Sequence, residues 1–276
     1  MKSALLQLCS SDDPAENLAT VRDMMAEAAS QGARFILTPE VTNCVSTSTT
    51  RQREVLQHDE DDQTLAGLRD QAAALGVWLL IGSLGIKTHD ADGRFANRSF
   101  MIDPQGQIVA RYDKIHMFDV QVSETETFRE SKNYRPGNKA VIAETDFGKV
   151  GLTICYDIRF PHLYAALAQA GARILTVPAA FSPVTGAAHW ESLLRARAIE
   201  TGCWVLAPAQ TGEHPKTRGK TRFTYGHSMV LAPWGEVVID AGTDPGIHFF
   251  DLDDSSVTEA RRRVPSLTHV RPFDGP

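Results

Sequence analysis

Three residues whose side chains suit hydrolysis stand at the ends of predicted strands. Glu40 follows the short apolar segment 34–38, where partial desolvation would raise the pKa of its carboxyl and suit it to be a general base. Lys114 follows a predicted hairpin strand and could stabilise an oxyanion. Cys155 ends the apolar run 150–155 just before a predicted helix, whose N-terminus would lower the pKa of the thiol. Taken singly, each also fits a structural role, as a solvated carboxylate, an edge lysine or a buried cysteine.

Motifs of other hydrolase classes are absent from the sequence. It contains no Gly-x-Ser-x-Gly, no His-Glu-x-x-His and no glycine-rich phosphate loop after a strand. His189 and His227 lie in predicted loops, which is more typical of hydrogen-bonded structural histidines than of bases. The cysteines show neither a paired framework nor a Cys-x-x-Cys metal spacing; they are Cys9, Cys44, Cys155 and Cys203. We therefore expect a reducing compartment, the cytoplasm, and no zinc site.

Composition excludes several other classes of protein. The 276 residues are 42% hydrophobic and carry a net charge of −6, which fits a large folded core and not a nucleic-acid binder. The short basic cluster 261–263 is more typical of a surface or subunit contact. No apolar run approaches the roughly 20 residues of a membrane span. We expect one domain over 1–276, with a C-terminal tail from about 256.

Hydrophobic patterning predicts strands and helices in alternation, with helices outside a mixed sheet. A helix over 14–30 begins at Asp13-Pro14, and the polar segment 42–62 is typical of a loop or lid. Residues 116–140 are predicted to be largely irregular. The remaining helices are predicted at 62–75, 161–170 and 187–201, and the strands at 4–8, 34–38, 77–83, 97–103, 107–112, 141–145, 149–155, 174–177, 203–209, 226–231 and 236–240.

The segments around the three candidate residues together resemble the three signatures of the nitrilase, or carbon–nitrogen hydrolase, superfamily. They are Thr38-Pro39-Glu40, Tyr112-Asp113-Lys114-Ile115-His116-Met117-Phe118-Asp119 and Gly151-Leu152-Thr153-Ile154-Cys155-Tyr156-Asp157-Ile158-Arg159-Phe160-Pro161. The resemblance extends over almost the whole chain, through 178–181, 185–191, 195–200, 225–228 and 233–235. It implies an α/β fold of the α-β-β-α sandwich type, paired into an eight-layer α-β-β-α-α-β-β-α homodimer or a higher even oligomer.

The resemblance also implies a catalytic triad of Glu40, Lys114 and Cys155. A second glutamate of the superfamily precedes a Pro-Gly pair, which places it at Glu130, although Glu124 and Glu126 crowd the same region. The implied reaction is hydrolysis of a linear amide through a thioester on the cysteine. No metal or organic cofactor is expected.

The sequence around the cysteine resembles the Nit branch, whose members hydrolyse amides of α-keto acids to the acid and ammonia. Two activities are known there, deaminated-glutathione amidase and an ω-amidase that acts on α-ketoglutaramate. Segments 209–214 and 225–230, with Asn43, are more similar to the former. A carbamoyl-amide hydrolase remains an alternative. A non-catalytic binding protein with the same fold is disfavoured, because such a protein has no reason to keep all three groups.

Several residues are expected to hold the small α-keto amide. Arg159 offers a bidentate fork for the keto-acid carboxylate, although a structural salt bridge with Glu191 or Glu200 is an alternative role. Thr185 would add a hydroxyl, Phe181 an apolar wall and Tyr156 a backbone N–H for the oxyanion. The insert 213–224 is longer and more basic than expected for this branch, and it could rim the pocket and favour a more acidic amide. Its cationic residues are Lys216, Arg218, Lys220 and Arg222.

Overall fold

The computed structural model describes residues 1–122, 124 and 127–275. The strands, in chain order, are β1 (Lys2–Gln7), β2 (Phe35–Leu37), β3 (Trp78–Lys87), β4 (Phe95–Ile102), β5 (Ile108–Asp113), β6 (Asp119–Gln121), β7 (Thr127–Arg129), β8 (Val141–Thr145), β9 (Gly148–Leu152), β10 (Ile174–Thr176), β11 (Trp204–Ala207), β12 (Thr211–Glu213), β13 (Phe223–Tyr225), β14 (Met229–Leu231), β15 (Val237–Asp240) and β16 (Gly246–Asp251). The helices are α1 (Pro14–Ser30), α2 (Thr49–Val55), α3 (Gln63–Leu75), α4 (Pro161–Gln169), α5 (Pro183–Thr201) and α6 (Asp254–Arg263). Short 3₁₀ helices lie at Glu130–Lys132, Cys155–Arg159 and Ser266–Thr268.

Twelve of the strands form two six-stranded mixed sheets. Their orders are β16-β1-β2-β3-β4-β5 and β15-β14-β11-β10-β9-β8. The central strands of each sheet are parallel and the outer ones antiparallel. Just beyond the ends of β1 and β11 the two sheets meet, since Leu8 N–H donates to the Ala209 carbonyl and Thr211 N–H donates to the Leu8 carbonyl. This junction brings the carboxyl ends of the parallel strands together, where ligands collect in α/β folds.

Alternation along the strands determines which core each side chain enters. In β1, Leu5 joins the core between the two sheets, whereas Ala4 and Leu6 join the core under α1 and α3. On the opposite side of the molecule, Leu167 of α4 and Leu194 of α5 pack against the second sheet. The result is the four-layer α-β-β-α sandwich that the sequence predicts.

Local sequence explains the best-predicted helix. The Asp13 carboxylate accepts hydrogen bonds from the Ala15 and Glu16 N–H groups, and Pro14 occupies the first turn, so both start signals act as expected. The departures concern weaker signals. The segment predicted as a loop or lid, 42–62, contains the short helix α2. The predicted strand set omits β16, which pairs with the full length of β1. The predictions also omit the short strands β6, β7, β12 and β13 and the helix α6.

The C-terminal region packs closely on the rest of the chain as far as α6. The predicted tail boundary near 256 falls inside this helix, and Val257 is fully buried. Arg261 donates to the backbone carbonyls of Ala172 and Thr201, and Arg263 stacks on the ring of Trp234. Among the helices of the described ranges, none combines the length and apolar character needed to cross a bilayer.

Candidate active site

Cys155 lies on a sharp turn between β9 and the short 3₁₀ helix that it begins. Its φ is +50°, a left-handed conformation that costs a non-glycine residue about 1–2 kcal/mol. The Cys155 N–H donates to the Pro178 carbonyl at 2.9 Å, which ties the turn to the residues after β10. The local geometry is that of a nucleophile elbow, as the strand-to-helix pattern predicts.

Asp157, two residues beyond the cysteine, holds this turn against the end of β5. Its fully buried carboxylate accepts from the Ile154 N–H at 2.9 Å, the Tyr112 hydroxyl at 2.7 Å and the His116 N–H at 3.0 Å. Tyr112 and His116 flank Lys114 at two residues on either side, so one carboxylate fixes both the cysteine turn and the lysine. Asp157 falls within the segment 151–161 that resembles the third signature, but no role was predicted for it.

The Lys114 ammonium lies between two carboxylates. It donates to Glu40 Oε1 at 2.9 Å and to both oxygens of Glu130, at 3.0 and 2.9 Å. Lys114 is only 2% exposed and Glu40 only 5%. Glu130 is itself oriented by the Phe118 N–H, which donates to it at 2.7 Å. The structure therefore brings together the three predicted residues and the second glutamate.

The geometry distinguishes among the three glutamates of the predicted second-glutamate region. Glu130 contacts Lys114, whereas Glu124 is exposed. Glu126 lies outside the described residues.

Two further groups hold the Glu40 carboxylate. Asn97 Nδ2 donates to Glu40 Oε1 at 2.8 Å and lies 3.3 Å from Glu130 Oε1. The Ala180 N–H donates to Glu40 Oε2 at 2.8 Å. These contacts fix both carboxylate oxygens before any substrate binds. Asn97 was not predicted as a site residue, because nothing in the sequence distinguishes it from other polar residues of a hairpin strand.

Charge pairing outweighs burial at Glu40 and Lys114. Burial would raise the pKa of Glu40, but the adjacent Lys114 ammonium and several hydrogen bonds hold that pKa below its usual value. Burial would likewise lower the pKa of Lys114, but the carboxylates of Glu130 and Glu40 raise it well above its usual value. The expected raised pKa at Glu40 was therefore wrong, because desolvation alone ignores the neighbouring cation.

The Cys155 thiol has a pKa well above its usual value. Burial is the largest cause, the Glu40 carboxylate adds to it, and the Lys114 ammonium opposes it. The expected lowering by a helix N-terminus was wrong, since burial and the Glu40 carboxylate outweigh the groups that favour the thiolate. A thiol in this setting is protonated at rest, so it needs a base at the moment of attack.

These groups open into a cavity of about 420 Å³. Glu40, Lys114 and Cys155 form its buried part, while Arg129 and Lys220 belong to its exposed part. The charged residues in the described lining are the carboxylates of Glu40 and Glu130 and the cations of Lys114, Arg129, Lys220 and Arg222. The cavity thus has an excess of positive charge and suits an anionic ligand.

The predicted substrate-binding residues are only partly in this cavity. Phe181 lines it, whereas Tyr156, Arg159 and Thr185 are not among the described lining residues. The Arg159 guanidinium lies over the rings of Tyr156 and Phe181, at 5.8 and 5.7 Å from their centroids. Its Nη2 is 3.2 Å from Nδ1 of His189. Glu191 and Glu200 pair with other arginines, Arg195 and Arg197.

The basic insert folds back as a hairpin next to the cavity. Its two strands, β12 and β13, pair antiparallel, and Lys220, Thr221 and Arg222 from the connecting segment line the cavity. Lys216 and Arg218 are not among the described lining residues. The Lys216 ammonium bonds the hydroxyl of the lining residue Thr221, and Arg218 bonds Glu54. Half of the cations in the insert are thus part of the candidate site.

Together, the sandwich fold and the buried glutamate–lysine–cysteine cluster define a cysteine hydrolase of the nitrilase type. The chain belongs to the carbon–nitrogen hydrolase family, whose sequence pattern it matches over residues 2–262. Its predicted class is therefore confirmed.

Relatives agree with this assignment. The chain is 39% identical to the deaminated glutathione amidase of Yersinia enterocolitica, covering 97% of this chain and 92% of that one. It is 38% identical to the deaminated glutathione amidase of Mus musculus, covering 98% and 83%.

Solved structures share the fold. The C. elegans NitFhit protein superposes with a TM-score of 0.88 at 33% identity; the match covers 98% of this chain but only 65% of that longer protein. An amidase from Nesterenkonia superposes with a TM-score of 0.75 at 26% identity, and the match covers 96% of this chain and 98% of that one. That amidase was crystallised as a glutamate-to-glutamine variant. Its structure shows Michael addition of acrylamide at the active-site cysteine of that protein.

Proposed function

We propose that this enzyme is an amidase that uses Cys155 as nucleophile, Glu40 as general base and acid, and Lys114 to stabilise the oxyanion. One observation carries the proposal. The Lys114 ammonium is held 2.9 Å from the Glu40 carboxylate, and that carboxylate is close enough to the buried Cys155 thiol to raise the pKa of the thiol. A base, a cation and a thiol in one closed site are the parts that acyl transfer requires.

Acylation begins when Glu40 takes the thiol proton as Cys155 Sγ attacks the amide carbon. Because the thiol pKa is raised and the Glu40 pKa lowered, this proton moves together with attack and not before it. The new oxyanion lies between the Lys114 ammonium and the Tyr156 backbone N–H. When the carbon–nitrogen bond breaks, Glu40 returns the proton to the leaving amine, and a thioester remains on Cys155.

Deacylation uses the same base. Glu40 takes a proton from water as the water oxygen attacks the thioester carbonyl, and Lys114 again stabilises the oxyanion. The carbon–sulfur bond then breaks, and the cysteine sulfur recovers its proton from Glu40. Glu130 contributes by fixing the position and charge of Lys114. The net reaction is amide plus water to acid plus amine, with no metal or organic cofactor.

The proposed substrate is deaminated glutathione. Support comes from the relatives that carry this name over nearly their full length and from the positive excess in the cavity lining. In this compound an α-keto acid is joined through an amide to cysteinylglycine, so the amine released is cysteinylglycine. The sequence led us to expect ammonia as the second product. Ammonia is released only from a primary amide such as α-ketoglutaramate.

Within this proposal, Phe181 and Arg159 take different roles. Phe181 forms an apolar wall for the acyl chain. Arg159, stacked on the rings of Phe181 and Tyr156, holds that wall in place. Replacing Arg159 with Leu should then raise KM several-fold and leave a measurable kcat.

The test is product analysis with purified enzyme. Deaminated glutathione should yield cysteinylglycine and an α-keto dicarboxylic acid, and mass spectrometry of quenched enzyme should find an acyl group on the peptide containing Cys155. Cys155→Ala should be folded and inactive. Cys9→Ser is the matched control, since Cys9 is not among the described cavity-lining residues, and it should retain activity. Turnover by Cys155→Ala at the wild-type rate would refute the mechanism.

We further propose a homodimer, or a higher even oligomer, in the cytoplasm. Two apolar residues of α5, Val184 and Ile199, are 53% and 55% exposed, which fits burial against a second copy. The four cysteines are unpaired, as suits a reducing compartment. Light scattering should give at least twice the 30.3 kDa of one chain, and cell fractionation should find the enzyme with cytoplasmic markers.

A further inference from the structure

The basic insert is anchored at its base and near its middle. The Asp12 carboxylate, only 1% exposed, accepts from the Thr217 N–H at 3.0 and 2.9 Å and from the Thr217 hydroxyl at 2.9 Å. His214, 2% exposed, contacts the Thr224 hydroxyl at 2.7 Å. Buried polar groups with several partners order a loop strongly. The insert is therefore a built part of the molecule and not a loose surface loop.

Its tip is also held against the segment that forms the other wall of the cavity. The Thr47 hydroxyl donates to the Lys220 carbonyl at 2.8 Å. Gly219 adopts a φ of +98°, and a Cβ there would lie 2.7 Å from the Thr47 hydroxyl oxygen, so only glycine permits this approach. These contacts fix the backbone of Lys220 at the cavity mouth.

Arg222 lies deeper and close to the reacting groups. Its Nη2 donates to the Ala180 carbonyl at 2.9 Å, and its guanidinium lies 5.4 Å from the centroid of the Phe128 ring. The N–H of the same Ala180 donates to Glu40. Because the carbonyl and the N–H of one residue make the two bonds, the Arg222 guanidinium lies within about 9 Å of the Glu40 carboxylate.

Within the described ranges, no carboxylate lies within salt-bridge distance of Lys220 or Arg222. The two carboxylates of the described lining are both committed to Lys114. As far as the described residues go, Lys220 and Arg222 are therefore open to a ligand anion. A guanidinium already held at one nitrogen is well placed to bind a carboxylate with the others.

We propose that Lys220 and Arg222 form a subsite for a carboxylate on the amine side of the scissile bond. The inference rests on the proposed amidase function and narrows its substrate class to amides whose amine component carries a carboxylate, as a dipeptide does. Two extended residues span about 7 Å, so a dipeptide whose nitrogen is at the scissile bond reaches the Arg222 guanidinium with its terminal carboxylate.

The experiment compares three substrates in wild-type enzyme and the double variant Lys220→Gln/Arg222→Gln. They are deaminated glutathione, its C-terminal glycinamide and α-ketoglutaramate, whose amine component has no carboxylate. In the wild type, conversion to the glycinamide should lower kcat/KM about tenfold to a hundredfold, mainly through KM, as expected for a lost charge-assisted contact. The double variant should show the same loss with deaminated glutathione and a change below about twofold with α-ketoglutaramate.

Two controls separate this subsite from other effects. Arg218→Gln removes the same charge from the same insert outside the described cavity lining, at a residue that bonds Glu54, and should behave as wild type. Arg222→Lys keeps the charge and should recover part of the lost kcat/KM. Equal wild-type rates on the acid and the glycinamide would overturn the subsite and leave the amidase proposal standing, as would equal losses on all three substrates in the double variant. A wild-type enzyme inactive on both amide classes would overturn both.

Discussion

The Tyr112 hydroxyl donates a 2.7 Å hydrogen bond to the Asp157 carboxylate, and this contact joins the strand end that carries Lys114 to the turn that carries Cys155. The same carboxylate accepts from the Ile154 and His116 N–H groups. One fully buried side chain thus sets the distance between cation and nucleophile. Two separate sheets contribute these groups, so without such a link their spacing would depend on sheet packing alone.

Asp157→Asn should lower kcat about tenfold to a hundredfold with little change in KM. Both oxygens of the Asp157 carboxylate accept hydrogen bonds. In asparagine one of these oxygens becomes an NH₂ group, which donates and cannot accept, so at least one buried donor loses its partner. The free energy of unfolding should fall by about 1–3 kcal/mol. Steady-state kinetics and urea unfolding measure the two effects. Tyr112→Phe, which removes one bond only, should produce the same kinds of change at smaller size; an unchanged kcat in Asp157→Asn would contradict the positioning role.

Glu130→Gln should move the alkaline limit of activity to lower pH. The Glu130 carboxylate contributes to the raised pKa of Lys114, so its neutralisation lowers that pKa and the ammonium is lost sooner as pH rises. Because the proposed mechanism needs the charged ammonium, kcat/KM should fall at a lower pH than in the wild type. The pH profile of both enzymes checks this. Glu124→Gln, at an exposed residue, is the control and should leave the profile unchanged.

Sequence could predict the parts of the site that depend on local chain order. Glu40, Lys114 and Cys155 each follow a strand, and the hydrophobic pattern predicts those strand ends. Their meeting across two separate sheets was implied by the resemblance and not by the pattern. The helix after Asp13 was equally accessible, since its cap and proline are local. The sandwich itself followed from the resemblance.

What sequence missed depends on groups that meet only after folding. The β16 strand is stabilised by pairing with β1, more than two hundred residues away, and its own pattern is weak. Asn97 and Asp157 matter through tertiary hydrogen bonds. The predicted pKa direction at Glu40 was wrong because the Lys114 ammonium, from another strand, outweighs burial. The predicted direction at Cys155 was wrong because burial, with the Glu40 carboxylate adding to it, raises the thiol pKa. Burial can be estimated from local sequence, whereas the partner that compensates it cannot.

Asp62→Asn should stabilise the enzyme at neutral pH. Burial raises the pKa of Asp62 to about 6, although its carboxylate caps α3 by accepting from the Leu65 N–H at 2.8 Å. An acid whose pKa is higher folded than unfolded binds more protons in the folded state, so stability falls as pH rises between roughly 4 and 6. Asparagine keeps the cap without the charge. The unfolding free energy should then exceed wild type by about 1–2 kcal/mol at pH 8 and match it near pH 4.

Glu40→Gln should make Cys155 easier to alkylate while it stops turnover. The Glu40 carboxylate raises the pKa of the thiol, so a neutral amide there lowers that pKa and increases the thiolate fraction at neutral pH. Iodoacetamide should therefore react faster with Cys155 in the variant than in the wild type. Amide hydrolysis should fall by about a hundredfold to ten-thousandfold, since no group is left to take and return the proton. Rates of alkylation from pH 6 to 9, read by mass spectrometry of the Cys155 peptide, test both halves. Slower alkylation in Glu40→Gln would mean that the carboxylate activates the resting thiol, and the concerted proton transfer proposed here would be wrong.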